Sequence, residues 1–181
     1  MRGIFLIGFV GLSGCATAPA VSGASGSQNV RVVGAGGDVL SVGIPTTLNS
    51  GTTTIALPAD KLWSVLPAVY DSLGIPLTEI DPSSRVLGNR GMKLRRRLAK
   101  VPLSTYIDCG TAQAQPSADS YDINLSVMTQ LQIIDPGDTK VTTTVDAVGR
   151  PVSFSGEDVR CATKGAIERR ISRLLESVAR Q

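Results

Sequence analysis

The sequence predicts an α+β fold, an antiparallel sheet with two main helices on one face. Two observations carry this. Between residues 121 and 147 apolar and polar side chains alternate almost throughout, interrupted by the turn Asp135-Pro136-Gly137-Asp138. Alternation at period two marks strands with one buried and one wet face. At 59–73 and again at 163–180 the apolar spacing changes to the three-and-four rhythm of an amphipathic helix. Strands grouped between segregated helices call for an antiparallel sheet, whereas a parallel one alternates strand and helix.

In chain order, 29–33 and 38–44 are rich in strand-forming residues and are separated by Gly34-Ala35-Gly36-Gly37. Those glycines lack the G-x-G-x-x-G spacing of a nucleotide loop, no lysine follows, and no helical pattern opens behind them, so they read as a turn. Residues 52–57 alternate, with Thr53, Ile55 and Leu57 on one face. Pro58 then switches the period. Leu62, Leu66, Val69 and Leu73 form a helical stripe flanked by Trp63, Val65 and Tyr70. Trp63 reads as packing against the sheet in preference to a ligand platform. Pro67 removes one backbone hydrogen bond inside this helix, at a cost of about 3 kcal/mol, and predicts a kink. Gly74 followed by Pro76 ends the helix.

Residues 77–80 and 85–89 predict a hairpin around Asp81-Pro82-Ser83-Ser84. The run MKLRRRLAK at 92–100 reads as a connector and 110–119 as a polar loop. In the long hairpin, Tyr121, Ile123, Leu125, Val127, Leu131 and Ile133 share one face with Val141, Thr143, Val145 and Ala147. A weaker strand extension follows at 152–160. The last helix is capped by Thr163 and buries Ile167, Ile171, Leu174, Leu175 and Val178, with Lys164, Arg169, Arg170, Arg173 and Arg180 on its other faces.

At the start of the chain, Arg2 precedes the apolar run from Ile4 to Val10, and Leu12-Ser13-Gly14-Cys15 follows. A basic start, a short apolar core and small residues before a cut site describe a secretory signal. The run falls short of the roughly twenty residues that span hydrocarbon. Leu12-Ser13-Gly14-Cys15 resembles the lipobox of bacterial lipoprotein precursors. The resemblance covers residues 1–15 and implies that the Cys15 thiol receives a diacylglycerol, that a dedicated peptidase cuts just before it, and that the new amine is acylated. It divides the chain into a signal peptide at 1–14, a lipidated tether at 15–28 and a single domain at 29–181. Two or more acyl chains give stable anchoring where one would not. Ala16 after the cysteine is not an inner-membrane retention signal in that family. The expected location is therefore the bacterial envelope, on the outer membrane facing the periplasm. The uncharged residues 16–28 would reach roughly 20 Å as a flexible coil.

With Cys15 committed to lipid, Cys109 and Cys161 remain as a pair in an oxidising compartment, and a disulfide is the simplest expectation; two inert buried thiols are the alternative. The chain has no histidine, which removes histidine bases, triads and histidine metal ligands. Residues 15–181 carry no G-x-S-x-G, S-x-x-K or P-loop motif. Asp108, Glu157 and Asp158 read as solvated loop charges. The expectation is a non-enzyme with no cofactor and no metal.

Net charge is +3, and +2 once Arg2 leaves with the signal (3 − 1 = 2). Its distribution says more. Arg85, Arg90, Lys93, Arg95, Arg96, Arg97 and Lys100 occur with no acidic residue between Asp81 and Asp108. Consecutive arginines cannot all face a core. The segment is either a solvated connector or, through Lys93, Arg95, Arg96, Arg97 and Lys100, a contact for anionic lipid or an acidic envelope protein. It carries no interleaved aromatics for base stacking, and an exported chain does not meet nucleic acid.

The order strands, helix, hairpin, long hairpin, helix is similar in outline to the helix-grip domains of the lipoprotein that accompanies the bacterial outer-membrane β-barrel assembly machine. That resemblance implies an adaptor or structural role through protein or envelope-surface contacts. The alternative is a binding module holding an apolar or lipid-like ligand between helix and sheet.

Overall fold

Antiparallel pairing around one long hairpin organises the chain. A computed structural model describes residues 26–33, 39–46, 50–112, 114–152 and 155–181. Strands β1 (Gly26–Val33) and β2 (Val39–Thr46) pair antiparallel in a two-stranded sheet of their own. The expected turn at 34–37 and the whole segment 1–25 lie outside the described residues.

The main sheet begins at β3 (Ser50–Ile55) and is followed by α1 (Ala59–Ser72), β4 (Glu79–Asp81) and β5 (Val86–Arg95). Short pairings come next: β6 (Arg97–Leu98), β7 (Val101–Pro102), β8 (Ile107–Asp108), β9 (Thr111–Ala112) and β10 (Gln115–Pro116). Then come the long strands β11 (Asp122–Asp135) and β12 (Asp138–Arg150), β13 (Val159–Thr163) and α2 (Ala166–Ala179). Seven strands form the sheet in the order β4-β5-β11-β12-β13-β8, with β3 also on β12. Every pairing is antiparallel. The far edge of β12 is shared end to end: residues 139–144 take β3 and residues 147–149 take β13.

The burial of β11 and β12 alternates as the sequence period requires. Ile123, Leu125, Val127 and Leu131 join Val141, Val145 and Ala147 in the core with Leu62, Leu66, Val69 and Tyr70 of α1 and Ile167, Ile171 and Leu175 of α2. Burial of this set out of water is the main force holding helices to sheet. Leu174 is half-buried against the same cluster.

Several expectations change. Ile133 is 56% exposed, because it lies beyond the reach of the helices at the hairpin tip. Thr129 takes an inward position instead, paired with Thr143. Pro67 lies inside α1, as expected, and does not end it. Residues 110–119 are not simply a polar loop, since Ser117 and Ala118 are buried in a short 3-10 turn. Among the described residues of the weak extension at 152–160, strand begins at Val159.

Helix ends follow local chemistry. Gly74 at φ +69° ends α1: its N–H bonds Asp71 O at 2.9 Å, and Ile75 N–H bonds Tyr70 O at 3.0 Å. This 6→1 and 5→2 pair satisfies carbonyls that would otherwise be orphaned. Thr163 does not cap α2. Gly165 holds the cap position, its N–H donates to Thr163 Oγ1 at 3.0 Å, and that hydroxyl donates to Glu168 Oε1 at 2.7 Å. The helix starts three residues later than expected because the left-handed Gly165 must first turn the chain out of β13.

Candidate functional site

The basic segment is half sheet and half turn, and it is not the plain connector its composition suggested. β5 pairs with β11 as far as Arg95 opposite Asp122. Met92 and Leu94 pair across from the core residues Leu125 and Ile123, so Lys93 and Arg95 face the opposite side and are exposed. A bulge at Arg90 and Gly91, opposite Ser126, interrupts the ladder. Asn89 secures it: its side chain donates to Pro76 O at 2.6 Å and accepts from Gly91 N–H at 2.8 Å. Bulges of this kind re-aim the side chains that follow.

After Arg95 the chain leaves the sheet at Arg96, which sits at φ +68°. β6 and β7 then close a tight hairpin with Ala99 and Lys100 at its tip and Ala99 at φ +52°. Left-handed backbone at two non-glycine residues costs on the order of 1–2 kcal/mol each, so the surroundings must hold it. Leu98 is 3% exposed and pins the hairpin to the core, Leu103 N–H bonds Arg96 O at 2.9 Å, and Arg97 reaches Lys100 O at 3.4 Å.

Tertiary structure divides the seven cations. Arg85 pairs with Asp60 at 3.0 Å, Arg90 with Glu79, and Arg95 with Asp122 at 3.6 Å. The Arg90 guanidinium holds the Glu79 carboxyl below its usual range. Each acid lies outside the interval between Asp81 and Asp108, so a gap in the sequence is not a gap in space. That leaves Lys93, Arg96, Arg97 and Lys100, which are exposed and make no ion pair among the described residues. Arg170 of α2 and Lys164, just before that helix, add two cations that sequence proximity could not place there. Lys164 Nζ donates to Ser104 O at 2.7 Å, and Arg170 donates to the Tyr106 hydroxyl at 3.1 Å. Arg170 and Leu98 line one crevice with Leu73, Ile75, Tyr106 and Ile167, too narrow to seat a water molecule.

Cys109 and Cys161 form a disulfide, with Cα atoms 4.2 Å apart. Ala162 pairs with Asp108, which brings the neighbouring cysteines face to face where β13 meets β8. Both are buried. Cys15 lies outside the described residues.

Asp108 is engaged locally, its carboxylate accepting Gly110 N–H at 2.8 Å, and Asp158 pairs with Arg150 at 2.8 Å. Two buried polar groups escaped the sequence reading. Tyr70 shares a 2.8 Å hydrogen bond with Thr129, which shares one of 2.9 Å with Thr143. Burial raises the Tyr70 phenol well above its ordinary value, opposed by the Thr129 bond. Glu168 is 3% exposed, and its Oε2 has no hydrogen-bond partner among the described residues. Only the polarity of Thr129 and Thr143 at inward positions of the strand pattern signalled the first. Nothing in the sequence signalled the second, because Glu168 is buried where α2 crosses the side-chain-free Gly51.

Among the described residues no group of three His, Cys, Asp or Glu side chains converges to hold a metal ion, and no helix is long and apolar enough to cross a membrane. Compared with known proteins, the chain matches no family model and no curated protein.

Proposed function

We propose that this chain is a membrane-anchored bacterial envelope lipoprotein with a non-catalytic adaptor or structural role, acting through protein and envelope-surface contacts. The observation that carries the reading is Cys15, placed directly after Leu12-Ser13-Gly14 behind a short apolar run. A second observation supports it. The chain has three cysteines, and two of them, Cys109 and Cys161, are bonded to each other. Cys15 is the thiol left over, and a buried disulfide suits an oxidising compartment. The test is fractionation and intact mass in a bacterial host. The mature chain should begin at Cys15 and carry acyl chains, and Cys15→Ser should leave the membrane fraction in high salt. An unmodified Cys15, or a Cys15→Ser chain that stays with membranes in high salt, would refute the anchor.

A further inference from the structure

Of the four cations of the basic segment that make no ion pair among the described residues, Lys93 lies on β5 and the other three lie together. Arg96, Arg97 and Lys100 share one hairpin turn, and Arg170 reaches the same end from α2. We infer that this turn is a contact surface for the phosphates of anionic lipid headgroups. The inference rests on the envelope-lipoprotein reading, which keeps the domain within reach of a membrane, and it names what the domain would touch there.

Four features carry it. Arg85, Arg90 and Arg95 are neutralised by Asp60, Glu79 and Asp122, while the turn keeps its charge. The turn is stiff: Leu98 is buried beneath it, and the left-handed Arg96 and Ala99 fix where the cations project. Arg96 and Arg97 are adjacent in the chain, and a guanidinium fork matches phosphate oxygens. Finally, the large apolar residues that are exposed, Ile80, Ile133, Ile134, Val148, Val152 and Val159, all lie elsewhere. A protein interface has an apolar centre depleted of charge, and this turn has the reverse composition. Its segment also lacks aromatics, so stacked bases find no platform. A layer of phosphates asks only for exposed positive charge at the surface.

The experiment uses the full chain carrying Cys15→Ser, so that lipidation contributes to no arm. Co-sedimentation is measured on vesicles of phosphatidylcholine alone and with added phosphatidylglycerol. Any attachment through residues 1–10, Arg2 included, is common to the parent and every variant and cancels in their comparison. The gain from phosphatidylglycerol should fall by roughly fivefold per cation removed, on the order of a hundredfold in Arg96→Ala/Arg97→Ala/Lys100→Ala. It should also collapse as salt rises from about 0.05 M to about 0.5 M. Removing a paired couple, Glu79→Ala with Arg90→Ala, leaves net charge unchanged and should leave the gain unchanged. A thermal melt of each variant verifies that it is folded. Equal gain in the folded triple variant, or no gain in the Cys15→Ser parent, overturns the inference. Failure of the anchor itself would appear only in cell fractionation, and failure of the turn only on these vesicles.

Discussion

Tyr70 carries a hydroxyl into the middle of an apolar cluster and is fully buried. Its phenol oxygen lies 2.8 Å from Thr129 Oγ1 and 3.5 Å from the carbonyl oxygens of Leu87 and Val127. Tyr70→Phe leaves Thr129 still bonded to Thr143, so the expected loss is a single net hydrogen bond, about 1 kcal/mol by urea denaturation at neutral pH. The pH dependence has a definite sign. The folded phenol titrates above the unfolded value of 10.0, so its share of stability is complete below about pH 10 and drains away as pH rises further. Between about pH 10 and 12 the parent chain should lose stability faster than Tyr70→Phe, and parallel curves would contradict the buried phenol. Asp81 behaves oppositely. Hydrogen bonds from Ser83 and then Ser84 lower its carboxyl from 3.8 to about 2. Its contribution is therefore full above about pH 4 and disappears as pH falls towards 2. The gap between the denaturation midpoints of the parent and Asp81→Asn should close over that interval.

Two joints between elements decide whether helices and sheet stay together. Helix α2 crosses β3 at Gly51, where an added Cβ would lie 2.6 Å from the Cβ of Glu168. Gly51→Ala should therefore lower stability by about 1–3 kcal/mol, as overpacking does, read from a chemical melt. The other joint is the disulfide, spanning 52 residues. Opening a loop of that length by Cys109→Ser/Cys161→Ser should cost about 4 kcal/mol in the chain-entropy picture. Intact mass with and without reductant should differ by the two hydrogens of one bond. At this scale the sequence was most readable where a period persists. The β11–β12 hairpin and the stripes Leu62-Leu66-Val69 and Ile167-Ile171 are buried as their spacing implies, because a long repeat averages out local exceptions. The bulge at Arg90 and Gly91, the β6–β7 hairpin and the late start of α2 were not readable. Each depends on one or two residues held by contacts distant in sequence, such as Asn89 on Pro76 and Leu98 in the core. The paired cations are the same case, since Asp60, Glu79 and Asp122 reach Arg85, Arg90 and Arg95 only after the sheet has formed.

On the scale of the whole molecule, the helices cover one face of the sheet, and the turn at 96–100 stands at an end where β5 has already left the ladder. The shared edge of β12 has a further consequence, for the order in which the chain can assemble. β3 is made early, yet among the described residues its one partner in the sheet is residues 139–144. Cys109 likewise waits for Cys161. As the chain emerges from a ribosome, β5 and β11 can begin their ladder, but β3 and α1 have no finished sheet to settle on. Pairings this distant are slow to close. β3 and Cys109 therefore find their partners only once residues 139–161 have been made, and the sheet closes late.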